Sequence, residues 1–275
     1  MESAQSAALD TIIFADTNVL LDLYRIKKSD VSTKYLEQLE ACRDRLIVGS
    51  QVEMEYKKNR QRVIVEALST FSGPDWSRLT PPALVAELQA TKMLEKHRKH
   101  LTDQQEKLNS KITKILGNPS RCDPVYQTLQ RLFKHDSPLN LSRERKERFA
   151  IRNLARKRFV LGYPPRKNND TSIGDAINWE WIIHCSITTG KHVVIVTRDT
   201  DYGVINQKGA CYLNDWLKQE FSERVSQKRQ IILTDKLSTG LKLVSAAVTR
   251  EMEQEEERLL HGLSPKLSDQ FESFR

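Results

Sequence analysis

Five acidic residues stand where α/β proteins place their reactive groups, just past a buried strand or near the start of a helix. Asp16 and Asp199 come shortly after runs of apolar residues, and Glu55 and Asp175 lie in the first turns of predicted helices. The fifth, Asp201, follows Asp199 by two positions. Because the carboxyl ends of parallel strands share one edge of a sheet, we expect these side chains to gather there.

Carboxylates that are brought together repel one another, so such a cluster persists when cations neutralise it. Donor sets made of oxygen favour hard divalent ions, which makes Mg²⁺ or Mn²⁺ the predicted cofactor. Two such ions about 3.5–4 Å apart can activate a water and stabilise both oxygens of an in-line phosphoryl displacement. The predicted metal ligands are Asp16, Glu55, Asp175, Asp199 and Asp201, and the first four are the predicted catalytic residues.

Each of these acids also has a purely structural explanation. Asp16 could cap the helix that follows it, and Glu55 could pair with Lys58 on a solvated helix face. Asp175 could close a capping box, and Asp199 could stabilise a turn. The placement of all four at the ends of successive elements, beside a basic region, favours a common site over four separate explanations.

Short apolar runs without alternation predict strands that are buried on both faces, as in a parallel sheet. The predicted strands are residues 11–15, 46–48, 193–196, 210–213 and 230–233. Helical patterns lie between them, the principal ones at 17–25, 31–42, 174–188 and 214–225. This alternation of strands and helices predicts an α/β layer fold.

The pattern changes between residues 81 and 160, where only helical signals occur. An apolar residue recurs every seven positions, a narrow seam suited to an antiparallel helical hairpin. The residues of this seam are Leu94, Leu101, Leu108 and Ile115. Residues 78–167 hold 21 Lys and Arg against 8 Asp and Glu, whereas the whole chain has a net charge of +8. Such a concentration of positive charge predicts a polyanionic partner.

One helix of this region carries a row of arginines at spacings of three or four, which would line one face of the helix. These arginines are Arg145, Arg148, Arg152 and Arg156. The apolar residues that lie roughly opposite are Ala150, Ile151, Leu154 and Leu161. Because a guanidinium group can bind phosphate oxygens in pairs, we predict that the arginine row contacts nucleic acid.

The composition argues against several classes of protein. Hydrophobic residues make up 39% of the chain, and the sequence shows neither an apolar run that could cross a membrane nor a secretion signal. The four cysteines form no CxxC pair, which argues against a zinc knuckle or a disulfide framework. We therefore predict a cytoplasmic protein without a membrane partner.

The region after residue 236 reads as a helix to about residue 262, with five glutamates between Glu251 and Glu257. These charges either face solvent or fold back on the basic region and hinder its access to substrate. The basic region and this tail are also where we expect any protein partner or self-association.

Four segments, in this order, resemble the motifs of PIN domains. They are Phe-Ala-Asp-Thr-Asn-Val-Leu-Leu-Asp at 14–22, Val-Glu-Met-Glu at 52–55, Ile-Gly-Asp-Ala-Ile-Asn-Trp at 173–179 and Val-Thr-Arg-Asp-Thr-Asp-Tyr at 196–202. The chain is most similar to the larger bacterial PIN-like proteins, which resemble toxins and phage-defence effectors. The resemblance covers roughly residues 10–66 and 165–233.

The resemblance implies a three-layer α/β/α domain with a central, mostly parallel sheet. Residues 10–66 and 165–233 would form this domain, interrupted by a basic, all-helical insertion at 67–164 and followed by a C-terminal helical tail at 234–275. The function that it implies is a nuclease dependent on Mg²⁺ or Mn²⁺, here an endonuclease that acts on RNA in preference to DNA. A role as a toxin or an anti-phage effector would follow from the likeness to those proteins.

The resemblance also assigns supporting residues. Asn18 would orient Asp16, Thr197 would support the same site, and Arg198 would support it or contact a phosphate. Glu53 and Glu55 are both available as the second acid, and the spacing from Val52 favours Glu55.

Other functions stay open on the sequence alone. The chain could bind nucleic acid through a PIN-like scaffold that no longer cuts, or it could dock a protein partner through the insertion or the tail. It could also be a nuclease directed at DNA.

Overall fold

Five parallel strands form the centre of the structure, a computed structural model that describes residues 10–69, 82–165, 172–206 and 209–272. Numbered in chain order, the strands are β1 (Thr11–Ala15), β2 (Leu46–Gly49), β3 (Asn140–Leu141), β4 (His192–Val196), β5 (Gly203–Ile205), β6 (Cys211–Leu213) and β7 (Ile231–Thr234). The sheet has the order β3-β2-β1-β4-β7, and β5 and β6 form a separate antiparallel pair.

Eleven helices are present in the described ranges. They are α1 (Thr17–Leu21), α2 (Ser29–Ala41), α3 (Ser50–Ser69), α4 (Gln89–Gly117), α5 (Pro119–Cys122), α6 (Pro124–Lys134), α7 (Glu147–Val160), α8 (Gly174–Thr189), α9 (Asp215–Arg224), α10 (Leu237–Leu243) and α11 (Arg250–Glu272). The predicted α/β alternation is therefore confirmed. The helix predicted at 17–25 is shorter, because α1 passes into a 3₁₀ turn at Asp22–Tyr24.

The two central strands, β1 and β4, are buried along their whole length. They pair in parallel with Ile13 opposite Val194, and the Asp16 amide extends the ladder by donating to the carbonyl of Val196 at 2.9 Å. Their β-branched side chains pack well on a pleated surface that is covered on both sides. This pairing brings the residues that follow both strands to one edge of the sheet.

Helices cover both faces of the sheet. Gly240 of α10 lies against the side chains of Ile13 and Val196 on one face. The next residue along β1, Phe14, points to the other face, where it contacts Tyr202, and Tyr202 contacts Trp179 of α8. Helices α8 and α10 therefore lie on opposite faces, which confirms the three-layer arrangement.

Helix α8 is the central helix of its layer, with apolar and polar residues alike buried along most of its length. Helices α7 and α9 pack on it, and α8 itself packs on β2 and β4. It ends at Gly190, whose φ of 64° is a left-handed conformation that glycine adopts without a steric penalty. The chain thereby reverses within two residues and enters β4.

The region predicted to be an all-helical insertion also contributes to the main fold. The two-residue strand β3 pairs with β2, and α6 buries Leu129 and Leu132 in the common core. A strand in this region was not predicted, so its purely helical character was wrong. The division of the chain into domains stays a prediction, and its boundary near residue 67 adjoins residues 70–81, which lie outside the described ranges.

Helix α4 differs most from the rest of this region. It is a single helix of 29 residues, about 43 Å long at ~1.5 Å per residue, and Thr91 is its one buried residue. The seam residues Leu94, Leu101 and Leu108 are 60%, 44% and 47% exposed. The predicted antiparallel hairpin is wrong for the described part of the chain, because no described helix covers this seam.

The predicted tail forms two helices, α10 and α11, and its glutamates do not fold back on the basic region. Glu251 pairs with Lys34 of α2 at 2.8 Å, and Glu257 pairs with Lys236 at 2.8 Å. Glu255 and Glu256 are buried against the main fold. Of the two alternatives, folding back on the basic region is therefore wrong, and exposure to solvent is wrong for Glu255 and Glu256. No described helix has the length and apolarity to cross a membrane, and the cytoplasmic location stays a prediction.

A buried ionic network joins α3 to α6. The guanidinium of Arg60 donates to Asp123 at 2.6 and 2.9 Å, and both side chains are nearly inaccessible to solvent. The Tyr24 hydroxyl donates to the same carboxylate at 2.7 Å. Asp123 also caps α6 by accepting from the Tyr126 amide at 3.0 Å. One carboxylate thus holds three segments together.

Arg60→Ala should destabilise the fold by about 3–5 kcal/mol, because it leaves the Asp123 carboxylate buried without its cation. The measurement is the free energy of unfolding from urea denaturation. Arg62→Ala is the matched control on the same helix, since Arg62 is 70% exposed and its loss should cost less than about 1 kcal/mol. Equal effects of the two substitutions would contradict the importance of this network.

Candidate active site

Asp16 lies at the carboxyl end of β1 and is 4% exposed. Its carboxylate accepts three hydrogen bonds: from the Thr17 amide at 2.6 Å, from Asn18 Nδ2 at 2.9 Å and from Thr197 Oγ1 at 2.6 Å. The first of these is the helix cap that the sequence allowed as an alternative. Asp16 therefore caps α1 and is also bound to the segment that follows β4.

The electrostatic surroundings of Asp16 oppose its ionisation. Burial raises the pKa of Asp16 to about 7, and the carboxylates of Asp199 and Glu55 act in the same direction. The hydrogen bonds from Thr197 and Thr17 lower the pKa but only partly offset this effect. Asp16 is therefore close to half-protonated at neutral pH when no cation is nearby.

Glu55 lies beside Asp16, and Thr17 connects the two acids. The Thr17 amide binds Asp16, and its hydroxyl donates to Glu55 Oε2 at 3.0 Å. Gln51, one turn earlier on α3, donates to Glu55 Oε1 at 2.6 Å. Glu53 instead pairs with Lys57 at 2.6 Å, so the structure places Glu55 and not Glu53 beside Asp16.

Asp175 is in the first turn of α8, next to Glu55. Gly174 lies so close to the Glu55 carboxylate and to Gln51 Nε2 that a Cβ atom there would collide with both. The absence of a side chain at Gly174 lets the start of α8 approach α3, and this approach delivers Asp175 to the cluster.

The pKa of Tyr202 indicates which acids lie near this residue. Burial raises the pKa of the Tyr202 hydroxyl well above its ordinary value, and four carboxylates act in the same direction. These carboxylates belong to Asp175, Asp16, Glu55 and Asp201. Since Asp199 acts on Asp16 in the same way, each of the four other predicted ligands lies within electrostatic reach of Asp16 or of Tyr202.

The segment after β4 is held by side chains from both strands of the site. Thr197 Oγ1 binds Asp16 and accepts from the Asp199 amide at 3.1 Å. Asn18 donates to Thr197 Oγ1 at 3.2 Å and accepts from the Arg198 amide at 3.3 Å. The structure therefore places Asn18 and Thr197 in hydrogen-bond contact with Asp16, as expected of supporting residues. Their functional roles stay proposals.

Arg198 points away from the acidic cluster. Its guanidinium binds Asp22 and donates to Glu256 of α11 at 3.2 Å, and its side chain is 13% exposed. Glu256 also accepts from the Tyr35 hydroxyl at 3.1 Å and from the Leu237 and Ser238 amides at 2.5 and 2.9 Å. A direct phosphate contact by Arg198 would require these bonds to break, so its placement indicates support of the loop at 197–201.

The donor chemistry of the cluster fits a divalent cation. Glu55, Asp175 and Asp199 are half-buried oxygen donors, and Asp16 is buried. A cation would oppose the burial and the carboxylate repulsion that raise the pKa of Asp16. As the side chains are placed, no three Asp, Glu, His or Cys residues in the described part of the chain form a ready metal-binding group. Small rotations of the half-buried carboxylates would therefore accompany binding.

The predicted arginine row is only partly present. Helix α7 begins at Glu147, so Arg145 precedes it and donates to the carbonyl of Ser137 at 2.6 Å. Arg148, Arg152 and Arg156 remain adjacent on the helix. Burial lowers the pKa of Arg152, and the charges of Arg148 and Arg156 lower it further. None of these three forms an ion pair among the described residues, although the charge of Arg148 is one of the causes that lower the pKa of the nearby Glu144.

The apolar face predicted for α7 is confirmed only at Ile151. The buried residues of this helix are Ile151, Ala155 and Arg158, whereas Leu154 and Leu161 are 43% and 51% exposed. Arg158 is buried because Glu180 of α8 and Glu220 of α9 neutralise it. Because an arginine at a core position is not apolar, the sequence pattern indicated the wrong face of the helix as the buried one.

Several supporting residues were not recognised in the sequence. Gln51 carries a signal, since it lies four positions before Glu55 and therefore on the same helix face. Thr17 and Gly174 lie inside the recognised motifs, next to the acids. Glu256 has no such signal, because it sits in a run of glutamates that resembles a solvated helix.

This arrangement defines an α/β protein with an acidic centre at the carboxyl edge of its parallel sheet. The family model for the PIN domain matches residues 13–202, which is more than half of the chain, and the chain therefore belongs to the PIN domain family. The family has a nuclease-type fold and is commonly metal-dependent. No curated protein and no solved structure matches the chain.

Without divalent cations, the contribution of Asp16 to stability should decrease as the pH rises from about 4 to about 7. The unfolded carboxyl titrates near 3.8 and the folded one near 7. Between these values the folded state binds more protons, so the free energy of unfolding falls as protons are removed. Asp16→Asn lacks this contribution, and its stability relative to the natural chain should rise by up to ~1.4 kcal/mol per pH unit.

Urea denaturation in EDTA between about pH 5 and about pH 8 measures this difference. Asp30→Asn is the control, because Asp30 is 63% exposed and should change the pH profile little. Parallel pH profiles for the natural chain and Asp16→Asn would contradict the raised pKa.

Proposed function

We propose that the protein is a divalent-metal-dependent endonuclease that hydrolyses phosphodiester bonds, with RNA as its favoured substrate. The observation that carries this proposal is the meeting of acids from separate elements at the carboxyl edge of the sheet, where Thr17 binds both Asp16 and Glu55 and Thr197 binds Asp16. Burial and the neighbouring carboxylates of Asp199 and Glu55 raise the pKa of Asp16 to about 7. A fold maintains such a repulsive arrangement at a cost in stability, which a bound cation would offset.

The roles of the residues follow from their contacts. Mg²⁺ or Mn²⁺ would supply charge neutralisation of the phosphate and activation of water. Asp16, Glu55, Asp175 and Asp199 would hold the cation, with Asp201 as a further ligand. Asn18 and Thr197 keep Asp16 oriented through their hydrogen bonds to Oδ2.

The preference for RNA rests on the likeness of the four acidic motifs to PIN nucleases, most of which cut RNA. The likeness to larger PIN-like proteins supports a further proposal, a role as a toxin or an anti-phage effector. A panel of single- and double-stranded RNA and DNA substrates distinguishes RNA-directed from DNA-directed cleavage.

Helix α7 supports the substrate class. Arg148, Arg152 and Arg156 form a cationic row without an ion pair in the described part of the chain. Helix α7 packs on α8, the helix that carries Asp175. A phosphate backbone lying on this row would be guided toward the acidic cluster. We propose that these three residues position the substrate, and that Arg145 serves the fold through its bond to Ser137.

A second candidate function is the docking of a protein partner, and helix α4 is the observation that favours it. Its exposed leucines follow a heptad spacing that is typical of helix pairing. This function is compatible with a nuclease. It would become the principal one if the chain cleaved no nucleic acid in the presence of either cation.

Asp16→Asn, Glu55→Gln and Asp175→Asn should each lower the cleavage rate by at least about 100-fold with Mg²⁺ or Mn²⁺. This exceeds the ~10–100-fold loss that is typical of residues that only support a ligand. Because the acids act on one cation site, double variants should lose little more than single ones. The measurement is single-turnover cleavage of labelled RNA.

Glu53→Gln is the matched control, since Glu53 is two residues from Glu55 but pairs with Lys57. It should retain near-natural activity. Full activity in Glu55→Gln, or cleavage that resists EDTA, would refute the proposed site.

The double variant Arg152→Ala/Arg156→Ala should weaken the salt dependence of nucleic-acid binding. Each phosphate contact with a single strand contributes about −0.7 to the slope of log K against log salt, so the loss of two contacts should reduce the slope by roughly 1.4. Titration of a labelled oligonucleotide over a range of salt concentrations in EDTA measures this slope.

Lys146→Ala/Lys157→Ala provides a charge-matched control. Both lysines are exposed, and they lie three helical turns apart on a different side of α7 from the arginine row. Equal changes of slope in the two double variants would show that overall charge, and not the arginine row, determines binding.

A further inference from the structure

Two large aromatic side chains are exposed and in contact at the junction of α7 and α9. The rings of Tyr163 and Trp216 have centroids 5.1 Å apart, and the side chains are 39% and 48% exposed. Trp216 is on α9, where Leu217 and Phe221 are the buried residues, so Trp216 lies on the outer side of that helix. We call Tyr163 and Trp216 the aromatic pair.

The backbone on the Tyr163 side of the pair is fixed. The amide of Tyr163 donates to the carbonyl of Arg158 at 3.1 Å. The guanidinium of Arg158 in turn donates to the carbonyl of Pro164, the next residue after Tyr163. The amide of Tyr163 and the carbonyl of the next residue, Pro164, are therefore both bound to the buried Arg158.

The same arginine fixes α9, which carries Trp216. Arg158 binds Glu180 of α8 at 2.9 Å and also binds Glu220 of α9. Arg224 of α9 closes the network at 2.7 Å from Glu180 and 2.6 Å from Glu220. This ionic network holds the two backbone segments that carry Tyr163 and Trp216. Little backbone conformational entropy would therefore be lost when a ligand binds the two rings.

The pair is close to the acidic cluster. The amide of Asn214 donates to the carbonyl of Tyr202 at 2.9 Å, and Trp216 follows Asn214 by two residues. Standard backbone dimensions then place the Cα atoms of Tyr202 and Trp216 within about 15 Å of each other. The Tyr202 hydroxyl donates to the backbone carbonyl of Asp175, one of the predicted ligands, at 3.5 Å.

The positive charge near the aromatic pair indicates which class of ligand would bind it. Tyr163 follows the end of α7 by three residues, and Arg152 and Arg156 of that helix form no ion pair among the described residues. Proteins that bind single-stranded nucleic acid combine a cationic track for the backbone with aromatic faces on which bases stack. An apolar protein partner would leave these cations uncompensated.

We propose that the aromatic pair is a stacking site for bases of a single-stranded nucleic acid whose phosphates lie along Arg152 and Arg156. This inference rests on the proposed function and extends it, since it names an unpaired strand as the substrate form. A duplex keeps its bases stacked inside and cannot use the pair without opening.

The test is equilibrium binding of the full chain, in EDTA so that no cleavage occurs, to a labelled RNA of about 12 nucleotides. This length is within the ~4–16 nucleotides that single-strand sites cover. Trp216→Ala and Tyr163→Ala should each weaken binding about tenfold, which corresponds to ~1.4 kcal/mol. The slope of log K against log salt should stay unchanged, because no charge is removed.

A second probe separates stacking from charge. An RNA of the same length with abasic positions should bind the natural chain and Trp216→Ala equally, because it has no bases to stack. Trp216→Leu keeps the apolar character without an aromatic face and should behave as Trp216→Ala does. Leu154→Ala, at an exposed apolar residue of α7 outside the pair, should bind RNA as the natural chain does.

Natural affinity in Trp216→Ala, or an equal loss of affinity for the intact and abasic RNA, would overturn the stacking site. The result is independent of the proposed nuclease. If Asp16→Asn abolishes cleavage while Trp216→Ala binds normally, the stacking site fails and the nuclease stands. If no cleavage occurs but binding depends on both the pair and the bases, the nuclease fails and the stacking site stands.

Discussion

The burial of the Asp16 carboxylate beside other carboxylates is the constraint that organises the rest of the structure. A charge in this position is unfavourable, and the fold tolerates it through three hydrogen-bond donors that come from α1 and from the segment after β4. Those donors require β1 and β4 to end at the same level, which their parallel register provides. Thr17 then fixes the distance to α3, and Gly174 permits α8 to approach it. Asp16, Glu55 and Asp175 are thus positioned by three different elements, Asp199 and Asp201 share the segment after β4, and all of these parts depend on the sheet.

Two arginines with little exposure to solvent hold the layers around this centre. Arg158 joins α7, α8 and α9 on one face of the sheet through Glu180 and Glu220. Arg198 joins the loop after β4 to the 3₁₀ turn after α1 and to α11 through Asp22 and Glu256. Hydrogen bonds and charge from Arg224 and Arg158 hold the pKa of Glu180 below its ordinary value, although burial opposes its ionisation. Such networks stabilise a structure when every member is satisfied and are costly when one partner is removed.

The parts of the molecule that could be predicted are those whose signal is local. Strands β1 and β4 are short β-branched runs buried on both faces, so the two strands could be predicted. The acids lie close to the end of a strand or the start of a helix, so they could be predicted as well. Strand β3 has two residues and no periodicity, and it exists because β2 offers it a partner. Arg158 and Glu256 were missed because their charges suggest a solvent-exposed position, and only residues distant in sequence bury them. The leucine seam of α4 was recognised, but a heptad pattern does not specify whether its partner belongs to the same chain.

The contact between Arg198 and Glu256 has a consequence for the order in which the site is completed during synthesis. Glu256 lies 57 positions after Asp199, so at ~5–20 residues per second the ribosome adds it about 3–11 s later. During this interval the emerging loop at 197–201 has its aspartates but lacks the acceptor that fixes Arg198 against α11. Strand β7, which pairs with β4, is also added within this interval. The finished geometry of the acidic centre is therefore acquired only after the polypeptide has been made through residue 256.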